Sequence, residues 1–361
     1  MLNLKTWNRR QMLLAPLLVF TLGIASCGGG NTGGNAGGGG APPASGSRVS
    51  MTGAGASFPA PLYQRWFSEY NRNVNSNVQI SYQSVGSGAG IEQFTQGTVD
   101  FGASDIAMSD EQIAAVSRGV VLLPMAAGSI VFAYNIPEIP ELKLSRQTYV
   151  DIFLGKITKW NDPAIAKDNP DVNLPNLDIT VVVRSDGSGT TSVFTQHLSA
   201  VSPEWEQKVG SGTAVEFPVG IASRGNEGVT ASVSQTVGTI GYIEYGFAKK
   251  LGLSMATIEN KAGNFVAANS ETASAALAAV ELPENLRAFI FDPEGENSYP
   301  IVTYTWMLAY KTGTDPAKRD AFEGVILWAL DNGQTIADEL GYIPLPPEVI
   351  TRIKAALETI E

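Results

Sequence analysis

The segment Arg184-Ser185-Asp186-Gly187-Ser188-Gly189-Thr190-Thr191 combines a permanent cation, hydroxyls at Ser188, Thr190 and Thr191, and glycines at positions 187 and 189. Arginine offers a forked set of donors that fits a tetrahedral oxyanion. The two glycines let the main chain approach a ligand closely, and the hydroxyls add further donors. Binding of an anion is the chemistry this combination suits. Taken by itself, an ordinary capped turn accounts for the segment equally well.

The flanking elements favour the anion. Ile179-Thr180-Val181-Val182-Val183 is a β-branched run that reads as a buried strand. From Ser192 to Leu198 the apolar residues recur at helical spacing. The chain therefore leaves a strand, turns through small residues and starts a helix, whose first N–H groups lack intrahelical acceptors and carry partial positive charge. The same grammar recurs upstream. Residues 50–52 read as a strand, 53–58 (Gly-Ala-Gly-Ala-Ser-Phe) as a turn and 59–70 as a helix with Leu62, Trp66, Phe67 and Tyr70 on one face. Residues 78–82 read as a strand running into Gly86-Ser87-Gly88-Ala89-Gly90, with a helix expected from Ile91 to Gln96. Residues 99–105 read as a strand ending in a polar tip at Asp105, with Ser109-Asp110 capping a short helix. Such repetition predicts an α/β protein with mostly parallel sheets, which bind ligands beyond the carboxyl ends of their strands. Three small-residue turns, around Ser57, Ser87 and Ser188, would then cage one tetrahedral ligand.

The N-terminus has a different task. Lys5, Arg9 and Arg10 precede an apolar run from Met12 to Ile24, which ends in Ile24-Ala25-Ser26-Cys27. This pattern describes an export signal, and its apolar run is shorter than the ~20 residues of a spanning helix. Small residues before Cys27 resemble a bacterial lipobox, which implies cleavage before Cys27 and a lipid on its sulfur; a plain signal peptide is the other reading. Cys27 is the only cysteine, so no internal disulfide exists. Residues 28–47, rich in glycine, proline and serine, suit a tether spanning roughly 25 Å as a coil. No strand precedes this stretch and no lysine follows it, so a phosphate loop is disfavoured.

About 310 residues remain, more than one core holds, so two domains are expected. Removing the signal takes the formal charge from −11 to −14, because it carries three cations and no acids. That charge argues against nucleic acid or anionic lipid surfaces as partners. It also means that an anionic ligand must be held by short-range, fixed donors. Two apolar strands, 128–135 and 304–310, bracket the middle third and suggest paired crossovers between domains, with the C-terminal helices (317–332, 335–340, 347–359) returning to the first domain.

Five motifs, in order, resemble those of the phosphate-binding protein of the bacterial phosphate-specific ABC importer. They are residues 53–61 (GAGASFPAP), 98–105 (TVDFGASD), 154–163 (LGKITKWNDP), 184–190 (RSDGSGT) and 238–245 (GTIGYIEY). The resemblance runs from about Thr52 to the C-terminus. It implies a two-lobed periplasmic-binding-protein fold of type II, with two mostly parallel sheets flanked by helices and joined by a two-crossover hinge. Lobe I would comprise residues 49–130 and 303–361, and lobe II residues 131–302. The signal peptide would be 1–26 and the lipidated cysteine with its tether 27–48. Position by position, the resemblance implies phosphate contacts from Ser57 and Phe58 (main-chain N–H groups and the Ser57 hydroxyl), Ser87, Asp105, Arg184, Ser188, Gly189 and Thr190. Position 57 is often threonine in the family, and serine keeps the hydroxyl.

Asp105, read alone, is a helix cap or surface turn. Facing an anion it makes sense for phosphate, because an ionised carboxylate only accepts hydrogen bonds and phosphate near neutral pH still has a proton to donate. Sulfate has none, and two acceptors facing each other in a dry cleft cost several kcal/mol. Arsenate, protonated in the same range, is expected to be rejected far less. Asp186 is expected to orient the Arg184 guanidinium, to bond its own turn, or both.

Enzymatic readings fare worse. The pattern of small residues two positions either side of a nucleophilic serine in a strand–turn–helix elbow fails at Ser57 and at Ser188, and Val85 stands where one would precede Ser87. The sole histidine, His197, reads as a core or surface residue about two turns beyond the anion loop, and one histidine with one cysteine cannot build a zinc site. Gly155-Lys156 lacks the rest of a nucleotide loop. The expectation is a monomeric, non-enzymatic receptor without metal or cofactor. It would be exported and anchored to a membrane through Cys27, there capturing phosphate and docking on an ABC permease. An exported phosphatase and a receptor for sulfate or molybdate are the alternatives.

Overall fold

The computed structural model describes residues Arg48–Glu361; the expected signal, Cys27 and the tether lie outside the described residues. The first part of the chain runs β1 (Val49–Gly55), α1 (Ala60–Asn73), β2 (Val78–Ser84), α2 (Ser87–Thr95), β3 (Phe101–Ser104), α3 (Asp110–Ala115) and β4 (Val120–Tyr134). The middle begins with β5 (Lys143–Leu144), α4 (Arg146–Phe153), α5 (Pro163–Asp168), β6 (Thr180–Arg184), α6 (Gly189–Val201) and α7 (Pro203–Lys208). It continues through β7 (Ile221–Ser223), α8 (Gly225–Gln235), β8 (Thr239–Glu244), α9 (Tyr245–Leu251), β9 (Ser254–Met255), β10 (Thr257–Glu259), β11 (Phe265–Val266) and α10 (Ser270–Ala278). The last part is β12 (Val302–Tyr310), α11 (Pro316–Asp331), α12 (Gln334–Leu340) and α13 (Pro347–Leu357).

Two parallel wings, β2-β1-β3 and β8-β6-β7, flank a pair of antiparallel central strands, β12 and β4. β4 explains how two sheets become one. Val120–Ser129 pair with β12, whereas Ile130–Tyr134 pair with β8. A single 15-residue strand thus serves both halves, and the two expected sheets are continuous through it. β12 and the last thirteen residues of β4 are buried, which is why both read as largely apolar runs. This is the two-lobed α/β fold expected from the sequence.

β12 pairs with β4 along its whole length and with β3 over Trp306–Ala309, so residues 304–310 are a buried member of the first sheet. The chain passes between the halves just before β12, where Ile130 N–H donates to Ile301 O at 2.9 Å beside the partner change at Ser129 and Ile130.

Local signals hold with small shifts. α1 buries the Leu62, Trp66, Phe67 and Tyr70 face, and the Trp66 indole donates to Gly333 O at 2.8 Å, tying it to the C-terminal helices. β3 ends at Ser104, leaving Asp105 beyond the strand. α2 starts at Ser87 instead of Ile91: Gly86 at φ 94° reverses the chain in one residue, so no longer turn is needed. Among the described residues no helix is long and apolar enough to cross a membrane.

Candidate functional site

Parallel strands deliver their carboxyl ends, and the helices that follow, to one edge of the sheet. β1 leads to Ser57 and Phe58 ahead of α1, β2 to Ser87 at the start of α2, β3 to Asp105, and β6 through Arg184 to Ser188, Gly189 and Thr190 at the start of α6. Ser57, Phe58, Ser87, Asp105, Arg184, Ser188 and Thr190 are all buried. The fold brings the expected residues together from both halves. Gly88 N–H donates to Gly187 O at 2.9 Å, and Ser84 Oγ to Glu227 Oε1 at 3.1 Å, so the two walls are in contact. Gly189 is where that contact is tightest. A Cβ there would sit 2.5 Å from Ser87 Oγ and 2.9 Å from Asp105 Cβ. Only glycine lets the α6 N-terminus meet the opposite wall.

Arg184 is the strongest electrostatic feature. Its side chain is 1% exposed, and Nε and Nη2 donate to Asp186 Oδ1 and Oδ2 at 2.8 and 2.5 Å. Asp186 Oδ1 also accepts from Gly225 N–H at 3.0 Å. Burial pushes the Asp186 carboxyl up, but the Arg184 hydrogen bonds and charge, with the Gly225 N–H, outweigh burial and hold it below its ordinary range. Asp186 therefore does orient the guanidinium. The third nitrogen, Nη1, is buried without a partner. A buried charged donor left unpaired is costly, and an anion is what would pair it.

Asp105 faces the opposite balance. Burial raises its carboxyl to about 7, although Thr305 Oγ1 donates to Oδ1 at 2.9 Å and the Arg184 charge and Ser87 hydroxyl pull it down. Thr303 Oγ1 holds the Asp105 carbonyl at 2.9 Å, and Asp105 N–H donates to Ser87 Oγ at 3.3 Å. The Asp105 loop is thus fastened from β12, with one carboxylate oxygen engaged by Thr305. The helix N-terminus opposite is equally ordered: Ser188 caps α6 by accepting from Thr191 N–H at 3.0 Å, and Thr191 Oγ1 lies 2.8 Å from Tyr242 OH.

Two residues of the site escaped the sequence reading. Thr305 sits in a strand that read simply as apolar. Asn226 is fully buried at the start of α8 and touches Ser57 and Thr190. Its signal was a fourth strand–small turn–helix passage, Arg224-Gly225-Asn226-Glu227-Gly228, obscured because β7 is three residues long and largely exposed.

His197 lies in α6, buried, with Nε2 2.9 Å from Tyr149 OH, and burial lowers it to about 4. It is a neutral core residue directed at Tyr149, as its place in the helix suggested. No cluster of potential metal ligands occurs among the described residues.

Residues 41–332 match the family model described as a PBP superfamily domain. The chain is similar to the phosphate-binding protein PstS of Pasteurella multocida, at 45% identity over 314 residues covering 86% of this chain and 90% of that protein. It is 38% identical over 360 residues to the phosphate-binding protein PstS of Methanocaldococcus jannaschii, covering 92% and 90% of the two chains. Among solved structures, a phosphate-binding protein of Stenotrophomonas maltophilia shares the fold with a TM-score of 0.64 at 23% identity, covering 85% of this chain and 93% of that one. A high-affinity periplasmic phosphate-binding protein solved with phosphate bound shares it with a TM-score of 0.68 at 21% identity, covering 85% and 93%.

Proposed function

The chain belongs to the PBP superfamily and, within it, to the phosphate-binding proteins; from that membership we propose that it captures inorganic phosphate outside the cytoplasmic membrane and delivers it to an ABC permease. The observation that carries the reading is the pairing, in one dry site, of the unpartnered Arg184 Nη1 with the carboxylate of Asp105. A ligand that suits both must be an anion that still owns a proton.

Phosphate is held by the hydroxyls of Ser57, Ser87, Ser188 and Thr190, by main-chain N–H groups at Phe58, Gly189 and the α6 N-terminus, and by Arg184. Asp105 accepts its proton. Because the donors come from both lobes, the ligand gains its full set of contacts in the closed form alone, so binding energy drives closure. The change of strand partner at Ser129 and Ile130 supports lobe boundaries of 49–130 with 303–361 and of 131–302. No bond is made or broken.

Calorimetric titration of the full chain at about pH 8 is expected to give tight binding of phosphate, comparable binding of arsenate and far weaker binding of sulfate. Tight sulfate binding, or turnover of a phosphomonoester, would sink this reading. The lipobox-like Ile24-Ala25-Ser26-Cys27 supports anchoring through a lipid on Cys27. Cys27→Ser is expected to move the exported chain from the membrane fraction to the soluble one; unchanged membrane association would refute the anchor.

A further inference from the structure

We infer that Asn226 is a positioning residue for the ligand: reaching across the cleft, it occupies both lone pairs of the Ser57 hydroxyl and thereby commits that hydroxyl to donate to a bare phosphate oxygen. The inference rests on the phosphate-capture reading.

Asn226 N and Nδ2 each lie 3.0 Å from Ser57 Oγ. A hydroxyl has one proton and two lone pairs, and both nitrogens can only donate. The Ser57 proton is therefore directed away from Asn226. The orientation of the amide is not arbitrary. Glu244 N–H donates to Asn226 Oδ1 at 2.9 Å, which requires oxygen at that corner and puts Nδ2 toward Ser57. The same Nδ2 lies 3.3 Å from Thr190 Oγ1, so one amide group contacts a ligand hydroxyl of each wall. Asn226 and Ser57 are buried, which leaves little water to compete for these lone pairs.

Two consequences follow for recognition. Ser57 stands after β1 and Asn226 at the start of α8, so the commitment exists when the walls meet and is lost when they part. The site then makes opposite demands at two corners. Asp105 requires a protonated ligand oxygen, and Ser57 requires an unprotonated one. A partly protonated oxyanion meets both.

The test is a double-mutant cycle read by calorimetry with inorganic phosphate, using the full chain as wild type, Ser57→Ala, Asn226→Asp and the double variant. Aspartate keeps the acceptor for Glu244 N–H but replaces Nδ2 by an oxygen that captures the Ser57 proton. Ser57→Ala is expected to weaken phosphate binding roughly 10- to 100-fold in the wild-type background, but less than about threefold in the Asn226→Asp background. An equal loss in both backgrounds overturns the inference while leaving phosphate capture intact. If Asn226→Asp does not fold, as judged by circular dichroism, Asn226→Ala replaces it. That variant frees one lone pair, so the Ser57→Ala loss must shrink by about threefold or more, and an unchanged loss overturns the inference. Absence of phosphate binding by the wild type would instead remove the capture reading on which it rests.

Discussion

Replacing Asp105 by asparagine is expected to raise sulfate affinity about tenfold at pH 8 and about a hundredfold at pH 9, while phosphate affinity changes by less than about tenfold. Thr305 Oγ1 engages Oδ1 of the wild-type carboxylate, so the remaining oxygen meets the ligand as a buried acceptor. Against sulfate this leaves two acceptors face to face, and asparagine can turn a donor toward the ligand instead. The wild type should show a pH signature that the variant lacks. Burial holds the Asp105 carboxyl at about 7 rather than its ordinary 3.8. A raised carboxyl binds a proton that the unfolded chain has released. The ligand-free closed form is therefore fully favoured by this group below about 3.8, and loses that contribution as pH rises through about 7. Sulfate binds only the protonated carboxyl. Its affinity should rise about tenfold per unit as pH falls toward 7 and level off below. Calorimetry with sulfate across this range checks the prediction. A flat wild-type profile, or an Asp105→Asn variant that still refuses sulfate, would place selectivity elsewhere.

The second large effect is expected at Arg184. Arg184→Met removes the only buried cation of the site and strands Asp186, whose side chain is 9% exposed, without its partner. Truncating one member of such a pair costs about 2–5 kcal/mol, and the ligand loses its contact with Nη1 as well. Phosphate affinity should fall on the order of a thousandfold or more, with a lowered melting temperature in the absence of ligand. The two losses have different causes and can be separated. Arg184→Met combined with Asp186→Asn removes the stranded charge, so it should regain most of the thermal stability and none of the affinity. Recovery of affinity in the double variant would show that Arg184 serves the fold and not the ligand. Arg184→Lys keeps a charge but cannot span Asp186 with two nitrogens while presenting a third, and an intermediate loss is expected.

The site residues were legible because each belongs to a short local signal. A β-branched run, a small-residue turn and the first turn of a helix are contiguous in sequence. Backbone geometry alone sends their N–H groups outward, so Ser57, Ser87 and Ser188 could be picked out without a fold. The charge of the body and the resemblance of five ordered motifs narrowed the ligand further. Bounds shifted where one glycine did the work of several residues, as at Gly86.

Tertiary structure decided what depends on residues distant in the chain. Asp105 could be nominated from its place after a strand, but its raised pKa comes from burial between two walls, which outweighs the hydrogen bond donated by Thr305, 200 residues away. Asn226 meets Ser57 across 169 residues. No periodicity or spacing records such a meeting, because it is created by the closure of one half of the molecule on the other. The anion loop from Arg184 to Thr191 was thus written locally and would attract many oxyanions. Desolvation and the count of donors against acceptors, which choose among those oxyanions, exist only once the two walls have come together.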